Sequence, residues 1–410
     1  MPITLSTLPA FRVDPRHRLL QYPGRLHPRL ANELVRETQS CATPEDERPL
    51  LLDPFVGSGT VLLEAALLGH NTVGADPNPL ARLVTRVKTR RVSVDAVRLA
   101  GAEVVRHARR RHADPPEVAA YWYTEKVLHG LAQLGDALSE RGADAVSDAL
   151  RVALAATANG LSMQDPSVPV PVHLKSIAEP PATRAQVRRA VRFQLATTAD
   201  PFAVFLRNVD DQAQRLTTPF PTGHRASRVF PDARQIPGNI SVDAIVTSPP
   251  YGPAQKYVRA TQLPLAFLGY PTRESQRPIH AGTIGRERHI ADAAPTYEGP
   301  DSVAAELLLR ITPDAPVHRI WSAYLVEIED ALRVACRALR PGGSFVLVAG
   351  ENVVRHEVFD TSGYLVRCLT RLGLTIQYSR RDELRGWTLQ SSRKGSAPRL
   401  ASETVTVLSA

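Results

Sequence analysis

Residues 50–60 read L-L-L-D-P-F-V-G-S-G-T, and no other stretch limits the possible folds as sharply. The apolar run Leu50-Leu51-Leu52 predicts a short buried strand. Asp53 stands at its carboxyl end, Gly57-Ser58-Gly59 makes a tight turn, and Thr60 then caps a helix over 61–68 that stops at Gly69. Glycines let the backbone approach a ligand closely, and a helix amino end offers free N–H groups. The next strand, 72–76, ends in an acid, Asp76. A βαβ unit places a ribose-binding carboxylate about 20 residues beyond its glycine loop, which is where Asp76 falls. Asp76-Pro77-Asn78-Pro79 also opens another helix, so capping that helix is the competing role. The fuller G-x-G-x-x-G fingerprint is absent.

A second stretch, Val242 to Gly252, reads V-D-A-I-V-T-S-P-P-Y-G. Ala244-Ile245-Val246 is a buried strand by its apolar run. Two consecutive prolines cannot donate backbone hydrogen bonds, so the strand ends there. The Ser248 side chain and the Pro249 carbonyl are then acceptors free of strand pairing. Together they suit an exocyclic amine, one N–H each, while Tyr251 offers a flat face for a base.

Both strings resemble those of a known family. D-P-F-V-G-S-G-T closely matches the glycine loop by which DNA amino-methyltransferases hold S-adenosylmethionine, and S-P-P-Y resembles their D/N/S-P-P-Y/F/W motif. The resemblance covers roughly residues 1–90 and 225–410. It implies an α/β, Rossmann-like class I methyltransferase fold, a mostly parallel sheet with an antiparallel last strand, plus a helical insert. It assigns Asp53, Pro54, Phe55, Gly57, Ser58, Gly59, Thr60, Asp76, Asn78 and Asp232 to the cofactor, and Ser248, Pro249, Pro250 and Tyr251 to catalysis, with no metal. The segment around Tyr22-Pro23-Gly24, before a helix over 30–38, resembles the family's cofactor-covering motif. The serine form of the motif is typical of the cytosine-N4 enzymes. The expectation is therefore a site-specific DNA methyltransferase acting on N4 of cytosine, with double-stranded DNA as partner. Adenine-N6 methylation is the runner-up, followed by RNA guanine-N2 methylation or a catalytically silent nucleic-acid-binding subunit. A cognate restriction endonuclease is left open.

Bulk properties agree with this reading. The chain has 410 residues with 43% hydrophobic, enough for a large core. A net charge of +9 favours a polyanionic partner. Three cysteines without a C-x-x-C pair indicate neither a disulfide framework nor a cysteine zinc site. No run reaches a membrane span and no secretory signal opens the chain, so the expected compartment is the reducing cytoplasm, with no membrane partner.

The expected organisation is a cofactor half over 1–91, a helical insert over 92–225 and a catalytic half over 226–410. Helical patterns in the insert cover 96–111, 124–141, 145–161, 182–193 and 201–216. It also carries two basic runs, Arg106–His112 and Arg184–Arg192, the aromatic cluster Tyr121-Trp122-Tyr123, and a proline-rich loop after Gln164. The runs suit either solvated helix faces or phosphate contacts. Residues 270–320, rich in Pro, Gly, Arg and His, read as one long basic loop that includes Arg273, Arg277, Arg286, Arg288 and His289. From Trp321 onward, a helix over 324–339, a P-G-G turn and a strand over 344–350 follow. A helix over 361–372 and strands over 374–379 and 404–408 then close the sheet.

Overall fold

A computed structural model describes residues 11–38, 48–168, 170–174, 181, 183–253, 257–286, 295–311, 316–354, 357–383 and 402–410. Cys41, Arg288 and His289 lie outside the described residues. The strands are β1 (Leu50–Asp53), β2 (Asn71–Ala75), β3 (Arg228–Phe230), β4 (Val242–Thr247), β5 (Leu339–Gly350), β6 (Asn352–Val354), β7 (Glu357–Phe359), β8 (Thr375–Glu383) and β9 (Ser402–Ser409). Among the described residues they form a seven-stranded sheet of order β3-β2-β1-β4-β5-β9-β8 and a small β6-β7 hairpin. Strands β3 to β5 pair in parallel, whereas β9 runs antiparallel between β5 and β8. This is the Rossmann-like methyltransferase arrangement, antiparallel final strand included.

The sheet alternates its faces residue by residue, as strand geometry requires. Leu51, Ala244, Val246, Val346 and Val348 pack on one side against Leu34 and Val35 of the helix Pro28–Thr38 and Leu62 and Ala65 of the helix Thr60–Leu67. Leu52, Ile245, Phe345, Leu347 and Ala349 face the other way, against the helices Pro316–Ala338 and Thr361–Arg371. The strand order reverses between β1 and β4. That switch point is where an open α/β sheet leaves a crevice beyond its carboxyl ends. The glycine loop follows β1 and the S-P-P-Y loop follows β4, so both open onto it.

The insert folds as expected into helices, Val94–Ala108, Glu125–Ser139, Ala145–Leu161, Arg184–Thr198 and Pro201–Arg215. The helix Ala145–Leu161 lies at its centre and touches each of the other four. Its core is continuous with Leu80, Val84 and Val87 of the helix Pro79–Lys88, and with Leu263 and Leu265 of Tyr257–Ala266. One apolar cluster thus crosses the expected boundary at 91/92 and extends to the helix that follows the S-P-P-Y loop.

Two local expectations are corrected. Thr60 is the first residue of its helix, and the cap position belongs to Gly59, whose left-handed backbone (φ 74°) turns the chain into it. The stretch 270–320 is not one loop among its described residues, for it carries the helices Arg273–Gly282 and Ser302–Arg310. Thr272 and Ser275 cap the first reciprocally, and it buries Gln276 and Ile279. The Asp301 side chain caps the second, which buries Ala304, Leu307 and Leu308. Proline and arginine content hid these short apolar faces.

Truncating the centre of the insert should therefore reach the whole molecule. Leu150, fully buried in the shared cluster, should cost about 2–5 kcal/mol on Leu150→Ala. Urea denaturation followed by circular dichroism measures it, and loss of the sheet and the insert in one transition is expected.

Candidate active site

A cleft with about 670 Å³ of empty space, its open mouth included, lies at the switch point. Pro54, Phe55 and Gly57 enter it from the glycine loop, Asp76 and Asn78 from the end of β2, Asp232 and Ala233 from beyond β3, and Ser248 and Pro250 from beyond β4. Tyr22, Pro23 and Gly24 close one wall, and Gly282, Thr283 and Ile284 another.

Hydrogen bonds fix the glycine loop from both sides. The Asp53 carboxylate accepts from the Phe55 amide at 3.0 Å and from the Thr247 hydroxyl at 2.7 Å, which ties the end of β1 to the end of β4. Burial pushes the Asp53 carboxyl up to about 7 against those two donors. Asp76 accepts from the Gly57 amide at 2.9 Å and the Asn78 amide at 2.8 Å. Burial raises its carboxyl to about 6 despite both amides. Asn78 caps the helix Pro79–Lys88, and its side-chain amide donates to the Tyr22 hydroxyl at 3.2 Å and the Thr261 hydroxyl at 2.9 Å. The cap of that helix is Asn78, while Asp76 serves the turn before it.

Beneath the loop lies a buried polar layer that sequence reading passed over. The Lys88 ammonium, fully buried, donates to the Ser58 carbonyl at 2.6 Å, and burial lowers its pKa to about 7. His17 meets Glu64 at 2.5 Å, and Glu64 also accepts from Asn32 at 2.8 Å. Arg16 pairs with Asp14 and lies over the Phe220 ring at 4.0 Å. Arg25 donates to the His17 carbonyl at 2.8 Å. These contacts fasten the segment carrying Tyr22-Pro23-Gly24 to the helix Thr60–Leu67 that follows the glycine loop.

The S-P-P-Y loop is equally held. Tyr324 donates to the Pro250 carbonyl at 2.8 Å and Thr361 to the Tyr251 carbonyl at 2.7 Å. The Tyr251 hydroxyl lies 2.9 Å from Ser248 Oγ and donates to Glu403 Oε1 at 2.7 Å. Its ring packs against the sheet-side core, and Tyr251 does not line the cleft.

Of the residues singled out from sequence, the cleft gathers Pro54, Phe55, Gly57, Asp76, Asn78, Asp232, Ser248 and Pro250. Asp53, Ser58, Gly59, Thr60, Pro249 and Tyr251 stand behind its surface. Asp232 also forks onto Arg234, with Oδ2 to Nη2 at 2.8 Å, and Arg234 reaches the Gly282 carbonyl at 3.3 Å. Tyr324, Thr361, Glu403 and Lys88 were missed, since each acts through a partner far away in sequence. The basic run near Arg109 is partly spent internally: Arg109 pairs with Asp200 at 3.1 Å and Arg111 with Asp136 at 2.6 Å and with Glu140.

Gly59 and Gly57 both have positive φ, but their surroundings differ. A Cβ on Gly59 would stand 2.6 Å from Thr85 Oγ1, whereas one on Gly57 would meet nothing nearer than Tyr22 at 3.9 Å. Gly59→Ala should thus lose about 1–2 kcal/mol to backbone strain and a further 1–3 kcal/mol to overpacking. Gly57→Ala should lose the first part alone. Melting temperatures of the two variants, and partial recovery of Gly59→Ala by Thr85→Ala, check this.

Comparison with known proteins adds to this geometry. Residues 15–112 match the model of an RMKL-like methyltransferase domain. A type II methyltransferase, M.MvaI of Kocuria varians, is 25% identical over 364 residues, which cover 82% of this chain and 77% of that protein. A tRNA (guanine(10)-N2)-dimethyltransferase of Methanothermobacter thermautotrophicus is 40% identical over 62 residues, 15% of this chain and 17% of that one. The solved rRNA methyltransferase aviRa of Streptomyces viridochromogenes aligns with 95% of this chain and 88% of its own at 11% identity, with a TM-score of 0.31. The partial match to a methyltransferase-domain model, the similarity to a type II methyltransferase and the sheet order support one coarse conclusion: the protein is a methyltransferase of the S-adenosylmethionine-dependent kind.

Proposed function

We propose that the protein transfers a methyl group from S-adenosylmethionine to the exocyclic N4 amine of cytosine in double-stranded DNA. The observation that carries this reading is the meeting of Ser248 and Pro250 with Gly57, Asp76 and Asp232 in one cleft. Similarity to a type II methyltransferase over most of both chains supports it.

The cleft fits the cofactor by its own chemistry. Gly57 allows close backbone approach, Asp76 presents a carboxylate for ribose hydroxyls, and Asp232 presents one beside the apolar wall of Phe55, Ala233 and Ile284. Bound there, S-adenosylmethionine supplies an electrophilic methyl group. The amine of cytosine is a poor nucleophile because its lone pair is delocalised into the ring. The acceptor at Ser248 Oγ, which lines the cleft, favours a pyramidal nitrogen and aims its lone pair, so positioning provides most of the catalysis. In duplex DNA the base must first leave the stack. No cysteine lies in residues 247–252 to attack a pyrimidine ring, which disfavours methylation at C5. Arg110, Arg184 and Arg188, exposed on the insert, are the groups we assign to phosphate contact.

The deciding experiment maps modified bases in DNA and RNA of cells expressing the protein. N4-methylcytosine in DNA is expected. N6-methyladenine would select the runner-up, N2-methylguanine in RNA would reject the DNA reading, and no modification at all would reject transfer. Ser248→Ala should lower the single-turnover rate by a barrier of about 2–4 kcal/mol with cofactor affinity unchanged.

Cofactor affinity should also depend on pH through Asp76. Its carboxyl, raised to about 6, offers ribose hydroxyls two charged acceptor oxygens only when ionised. Affinity is therefore full above pH 6 and falls below it, by up to about tenfold per unit. Calorimetry across pH 5 to 8 should show that fall in the wild type, and Asp76→Asn should bind weakly with the slope removed.

A further inference from the structure

We propose that Glu403 sets the direction of the hydrogen bond that Ser248 offers to the substrate, and so makes the cleft selective for an amine over a carbonyl oxygen. This inference rests on the reading of Ser248 as the holder of an exocyclic amine. Glu403 sits on β9, where its backbone pairs with Gly350 of β5, and it is 8% exposed. As a carboxylate it is an acceptor only. The Tyr251 hydroxyl therefore spends its single hydrogen on Glu403, at 2.7 Å. The Tyr251 oxygen can then only accept from Ser248 Oγ, 2.9 Å away. The Ser248 hydrogen is committed to Tyr251, and its remaining lone pairs point away from that bond while the residue lines the cleft. Toward substrate, Ser248 is thus an acceptor.

That polarity separates two otherwise similar bases. Cytosine presents an N–H donor where uracil or thymine presents a carbonyl oxygen. A Ser248 hydroxyl free to rotate would donate to the carbonyl as readily as it accepts from the amine. With its hydrogen held by Tyr251, it meets the carbonyl lone pairs with its own. A site built to pair a donor rejects the analogue that lacks it, because buried groups are left unpaired. Glu403 does not line the cleft and acts through Tyr251, so it is a positioning residue.

Glu403→Leu keeps a similar bulk but removes the acceptor. The Tyr251 hydrogen is then released to turn to Ser248, and the Ser248 hydrogen is freed to turn into the cleft against the amine. Three measurements read this: single-turnover methylation, calorimetric affinity for S-adenosylmethionine, and the affinity ratio between oligonucleotides carrying cytosine or uracil at the methylated position. In Glu403→Leu the rate should fall about tenfold to a hundredfold, cofactor affinity should stay as in the wild type, and the cytosine preference should shrink about tenfold. Tyr251→Phe, which cuts the chain at its middle, should lose a similar share of that preference. The double variant should be no worse than the more impaired single one. An active wild type beside a Glu403→Leu that keeps full rate and full preference overturns this inference alone. So does a loss in Glu403→Leu that follows cofactor affinity. A wild type that methylates no amine in DNA overturns the function proposed above and this inference with it, so the two failures are distinguishable.

Discussion

The Asp53 carboxylate holds the two halves of the site together. Its bond to the Thr247 hydroxyl, 2.7 Å long and fully buried, joins the last residue of β1 to the last residue of β4. The chain departs from β1 into the glycine loop and from β4 into Ser248 and the prolines. A shift of either strand end would change the distance between the glycine loop and the S-P-P-Y loop across the cleft. Buried carboxylates are costly unless paired, and the carboxyl is pushed up to about 7 because only the Phe55 amide and the Thr247 hydroxyl oppose that burial. The energetic cost is accepted where geometry matters most. Asp76 repeats the pattern one strand over, with the Gly57 amide as its partner.

Around this joint the protein stacks successive layers of support. Lys88 holds the Ser58 carbonyl from below, Tyr324 the Pro250 carbonyl and Thr361 the Tyr251 carbonyl from the side. Every one of these supports comes from a helix or a helix end rather than from a loop. The two loops that form the cleft are therefore held through backbone groups whose partners are themselves locked in packed elements.

How much of this was legible in the sequence follows from the range of each interaction. Leu51 and Leu52, Ala244 to Val246 and Phe345 to Ala349 announce strands by local patterning, and the insert helices follow from theirs. The strand order is then fixed by the two loops that must share a switch point. Gly57, Asp76 and Ser248 were readable because a short string limits what their backbone or side chain can do. Glu403 and Lys88 were not: each reads as an ordinary charged residue on an amphipathic element until the fold brings it to Tyr251 or Ser58. The stretch 270–320 misled because arginine and proline mask the small apolar faces of Ile279 and of Leu307 with Leu308. Arg111 misled in the opposite sense, since Asp136 and Glu140, which neutralise it, lie on a different helix.

The antiparallel β9 carries a consequence for how the protein is made. Among the described residues, all those that line the cleft fall between 22 and 284, yet β9 spans Ser402–Ser409 and separates β5 from β8. A ribosome emits the chain from its amino end, so the glycine loop, the S-P-P-Y loop and β5 are all outside before β9 exists. During that interval β5 presents an open, apolar edge, Phe345 to Ala349, to any other nascent strand. The β9 strand seals that edge and delivers Glu403 in the same event, so the step that ends exposure to misassembly also completes the hydrogen-bond chain behind Ser248.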